Sequence, residues 1–93
     1  MIPQLLISEV EILPVKPRNG LVAFGSCVVN HALYLGCIAI HTRPDGSGYR
    51  LVYPDRILPN GKQVQVFHPI NREAGDVLER ALAEKIRSLT RMF

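Results

Sequence analysis

The chain has 93 residues, a formal net charge of +3 and a pI near 9.2. At 47% hydrophobic and 20% charged it is not a disordered segment. It is long enough for one domain, spanning 1–93, that buries roughly 60–65% of its unfolded surface.

Residues 4–15, QLLISEVEILPV, alternate largely apolar and acid-bearing positions and predict a half-buried strand. A turn over Lys16 to Gly20 follows, with Asn19-Gly20 as its hairpin signal. Residues 21–29 and 32–42 predict two more strands, joined by a tight turn at Asn30-His31. Both runs are apolar on both faces, so both strands are expected to be central and covered on each side, by a helix and by a partner. Gly25 and Gly36 mark either bulges or close backbone approaches.

Arg43 to Gly48 is a loop around Pro-Asp-Gly. Residues 49–53 predict a fourth strand, which Pro54 ends or confines to an edge. A turn over 58–62 leads to an alternating strand at 63–67. Asn71 is then a suitable N-cap, with Glu73 and Asp76 in the first turns. From 72 to about 90, Val77, Leu78, Leu82, Ile86 and Leu89 recur at helical spacing. The expected fold is α+β, with about five antiparallel strands and one C-terminal helix that lays this stripe on the sheet.

Chemistry is sparse. His31, His41 and His68 have no metal-ligand spacing, and no serine sits in a GxSxG turn. Cys27 and Cys37 read as free thiols within strands. The glycines at 46 and 48 belong to a turn, since no phosphate-loop pattern surrounds them. Neither a catalytic centre nor a cofactor, metal or small-molecule substrate is expected. The sequence has no run of 18 apolar residues and no basic-then-apolar leader at its start, so no membrane association is expected, and the cytoplasm is the expected location.

The basic residues are the remaining signal. Lys16, Arg18, Arg43, Arg50, Arg56, Lys62 and Arg72 lie at turns or strand ends, and Arg80, Lys85, Arg87 and Arg91 line the helix. On the helix, Arg72–Asp76, Asp76–Arg80 and Arg80–Glu84 are spaced to pair at i,i+4, so much of that surface would neutralise itself. An exposed apolar edge in a small sheet favours a dimer, and two copies would double any basic patch.

The stretch YPDRILPNGKQVQVFHPINREAGDVLERA at 53–81 resembles the SpoVG family of stage V sporulation and septation regulators. The likeness rests on Pro54-Asp55-Arg56-Ile57-Leu58-Pro59-Asn60-Gly61 followed by His68-Pro69-Ile70-Asn71, and it extends more generally over residues 7–90. It implies a sheet-plus-helix fold, a homodimer and sequence-selective DNA binding, with RNA binding in some members. It also implies a regulatory role in septation or sporulation, without a cofactor. Arg56 is the residue that matches the family's basic element. On this reading Arg56, Lys62 and Arg72 are the first candidates for phosphate contact, with Arg80, Arg87 and Arg91 behind them. The alternative is a protein–protein interaction module of cell division or a regulatory complex.

Overall fold

The computed structural model describes residues 5–91, with the side chains of 90 and 91 outside the description. The expected strand start at residue 4 therefore lies outside it. Four strands, β1 (Ile7–Arg18), β2 (Leu21–Val29), β3 (Leu33–Thr42) and β4 (Tyr49–Val52), form one antiparallel sheet in chain order. Two short strands, β5 (Asp55–Ile57) and β6 (Gln63–Gln65), form a separate ribbon, and one helix, α1 (Arg72–Arg91), is the last element among the described residues. The α+β plan of antiparallel strands and a final helix is as expected.

The departure is the last strand. It does not extend the main sheet but pairs with Asp55–Ile57. Pro54 breaks the chain after β4, because it lacks an N–H and fixes φ.

Two hairpins follow their turn chemistry. Asn19 and Gly20 both adopt positive φ (51° and 89°) between the paired Arg18 and Leu21. Asn30 and His31 also take positive φ, and the Ala32 N–H donates to the Val29 carbonyl across that turn. The Asn30 side-chain oxygen accepts from the Leu6 N–H while the Asn30 backbone N–H donates to the Leu6 carbonyl, so Asn30 extends the pairing of β1.

One face of the sheet is the core face. Ala23, Cys27, Val29, Ile38 and Ile40 are buried there against Leu78 and Leu82 of α1. Gly25 leaves room for core side chains. A Cβ at this position would stand 2.8 Å from Cδ2 of Leu82 and 3.1 Å from Cδ1 of Ile40. The helix begins under the Asn71 cap, whose Oδ1 accepts from the Ala74 N–H at 2.8 Å. Of the expected stripe, Leu78 and Leu82 are buried and Val77, Ile86 and Leu89 half-buried; Ala83 is buried beside them.

The single alternation read for β1 does not hold along its length. Leu5 and Ile7 pack toward the core, and so do Val10 and Ile12, which have the opposite parity. A bulge at Glu9 and Val10, opposite Cys27, switches the face, with Glu9 at φ 48°. A second bulge, Gly36 and Cys37, lies opposite Ser26 on the other side of β2, with Cys37 at φ 57°.

Among the described residues, no element covers the opposite, outer face of the sheet. Leu13, Phe24, Tyr34 and Val52 stand exposed on it, Tyr34 at 71%. One helix can cover one side only, so β2 and β3 are covered on one face in the single chain.

Candidate nucleic-acid interface

The ribbon is built by its turn. The Gly61 N–H donates to the Leu58 carbonyl, and Gly61 itself takes φ 85°, giving a three-residue connection. The Lys62 N–H donates to the Asn60 side chain, and the Leu58 N–H donates to the Lys62 carbonyl. This fixes the register Asp55↔Gln65, Arg56↔Val64 and Ile57↔Gln63.

The register decides which charges share a face. Residues opposite one another in an antiparallel pair project to the same side. Arg56, Val64 and Lys62 therefore share one face, with Arg56 and Lys62 as diagonal neighbours roughly 7 Å apart. Asp55, Ile57 and Gln63 lie on the other, where the Gln63 amide donates to the Asp55 carboxylate. The acid next to Arg56 in sequence is thus turned away from it. Arg56 and Lys62 are both exposed.

Arg72 is the first residue of α1 and is exposed. A cation in the first turn opposes the helix dipole, so helix stability does not explain it. Arg80 and Arg87 lie seven residues apart on one exposed stripe of α1, together with Asp76 and Glu84. None of the i,i+4 pairs expected on the helix closes as an ion pair. Among the described residues the ion pair is Arg43–Glu79 at 2.7 Å, which ties the loop after β3 to the helix. That pair and its hydrogen bond raise the affinity of Arg43 for its proton.

The sequence-derived cations therefore do not form one cluster. Arg56 and Lys62 come together, and Arg72 follows them by a short segment. Arg87 stands about 22 Å along the helix from Arg72, beside Ser47 of the loop before β4 and Tyr49 at the start of that strand. Arg91 closes the helix, and its side chain is outside the described residues.

A second basic group was not singled out by the sequence reading. Register aligns Arg18, Leu21, His41 and Arg50 across the four strands of the main sheet. They share its outer face, so Arg18 and Arg50 flank one end of that face about 14 Å apart. Only the pairing of three hairpins reveals the row, although the Asn19-Gly20 turn already places Arg18 at a tip.

No family model matches the chain, and no curated protein matches it.

Burial pushes the Cys27 thiol up, which keeps it protonated and a poor nucleophile. Cys37 is exposed. His68 Nδ1 donates to the Pro69 carbonyl at the corner before the helix. Among the described residues, no three His, Cys, Asp or Glu side chains gather as metal ligands, and no helix is long and apolar enough to cross a membrane.

Proposed function

We propose that the protein is a non-enzymatic regulator that binds nucleic acid, DNA or RNA, as a homodimer in the cytoplasm. The resemblance to the SpoVG family of septation and sporulation regulators gives the reading its class. The observation that supports it most directly is the ribbon. Arg56 and Lys62 share one exposed face, unpaired, with Asp55 on the reverse side. Two such cations on a projecting hairpin suit phosphate contacts, which set position rather than sequence. The exposed apolar side chains Ile57, Val66 and Ile70 offer surface for a second copy, which would double the phosphate contacts. Free thiols fit a reducing compartment.

The test is titration of labelled DNA and RNA at several salt concentrations. The logarithm of the affinity should fall linearly with the logarithm of salt. Arg56→Ala with Lys62→Ala should weaken binding and make this slope shallower by about two contacts' worth. Absence of binding at low salt would remove the proposal. The uncovered outer sheet face supports the second reading, a protein-interaction module. That module would be indifferent to the double substitution.

A further inference from the structure

The outer face of the main sheet holds a groove of about 570 Å³ whose lining includes Glu11, Leu13, Phe24, Ser26 and Tyr34. Phe24 and Tyr34 lie about 13 Å apart along the strands, with Ser26 between them. Tyr34 does not stand upright. A Cβ on Gly36 would lie 2.9 Å from its ring Cε2, so the ring lies down over the glycine. The glycine makes room for an exposed aromatic surface that the core does not use.

Three chemistries meet here. Two exposed aromatic rings offer stacking surfaces. The Glu11 carboxylate is acceptor-only and presents two oxygens side by side. Arg18 and Arg50 flank one end of the same face, within a few residues of Phe24 and Val52 in the register. A nucleotide carries the complement of all three: a flat ring, an edge of donors and a phosphate. Among the bases, guanine alone places two adjacent donors, N1–H and the N2 amino group, opposite a carboxylate. That edge is free only in a single strand.

We propose that this groove is a slot for a guanine of single-stranded nucleic acid. Tyr34 stacks on the base, Phe24 closes the other end of the groove, Glu11 accepts from the N1–H and N2 amino group, and Arg18 and Arg50 hold flanking phosphates. Gly36 is a positioning residue that sets the Tyr34 ring. The inference rests on the nucleic-acid reading above but uses a different surface from Arg56 and Lys62.

The experiment measures fluorescence anisotropy of the full chain with four labelled RNA pentamers, UUGUU, UUAUU, UUCUU and UUUUU. The expected result is tightest binding to UUGUU. Tyr34→Ala should cost about tenfold on that ligand. Glu11→Gln should erase the preference among the four, even as removal of a negative charge strengthens binding to UUUUU. Gly36→Ala, at a position whose backbone accepts a side chain, should weaken UUGUU by displacing the ring. Glu11 and Tyr34 are exposed and Gly36 is half-buried, and circular dichroism checks that each variant is folded.

Equal affinity for the four pentamers, with salt dependence retained, would overturn the slot and leave the phosphate-contact reading standing. Binding to none of them, or to any DNA, would overturn both. A dimer in sedimentation that Tyr34→Ala or Leu13→Ser dissociates would also overturn the slot, because a second copy would then cover the groove.

Discussion

At the level of single residues, the molecule is shaped by a few backbone decisions. Gly25 gives the Leu82 side chain of α1 room to lie directly against β2. Gly25→Ala would force Leu82 and Ile40 out of fully buried positions, since each has 0% exposure and nowhere to move. The expected cost is about 1–3 kcal/mol, read as a lower urea midpoint with an unchanged m-value. The sequence raised both roles for a strand glycine, a bulge and a close approach. Gly25 takes the second and Gly36 the first, and only the tertiary placement of Leu82 and Tyr34 separates them. Glu9 and Cys37 were not legible at all. Neither residue type announces a positive φ, and the bulges they create arise from matching strands of unequal length on either side of Ser26 and Cys27.

At the level of elements, the legible parts have strong local causes. The hairpin at Asn19-Gly20, the turn at Asn30-His31 and the helix after Asn71 each follow from side-chain chemistry at one or two positions. Asn71→Ala should therefore cost about 1 kcal/mol, seen as a fall in Tm of several degrees, because the Ala74 N–H loses its acceptor. Asn71→Asp should retain most of the stability, since aspartate caps as well and adds a favourable charge at the helix start. Retention of full stability by the alanine variant would mean that the cap contributes nothing. The ribbon was harder to read. Asp55–Ile57 is three exposed residues with no alternation, and it is a strand only because Gln63–Gln65 returns beside it. The consequence for the candidate interface is large, since that register alone separates Asp55 from Arg56 and Lys62.

At the level of the whole molecule, one helix on one sheet makes a two-layer particle, 23 Å along its thinnest direction. Two layers leave the outer sheet face open, so Arg18 and Arg50 fall on that face while Arg56 and Lys62 fall on the ribbon. The composition foretold an excess of positive charge but not this division, which depends on long-range register.

The ribbon is joined to the body at Tyr53, whose ring meets Phe67 edge-on at 5.9 Å and 69°. Burial, reinforced by Glu79 and Cys27, pushes the Tyr53 phenol up to about 12 from an ordinary value of 10. The unfolded chain would lose this proton near pH 10, whereas the folded chain keeps it until about pH 12. The stabilisation is therefore complete below pH 10 and is lost progressively as pH rises toward 12. Cys27 contributes in the same direction from about pH 9, its ordinary value, because burial also favours its neutral form. Urea midpoints measured from pH 8 to 11.5 should be level at first and then fall. Tyr53→Phe retains the contact with Phe67 but has no proton to lose, so its midpoint should fall less steeply above pH 10 and retain only the Cys27 part. Parallel curves for the two proteins would show that the phenol is equally hydrated in the folded and unfolded chains, and that the junction between ribbon and body is wet.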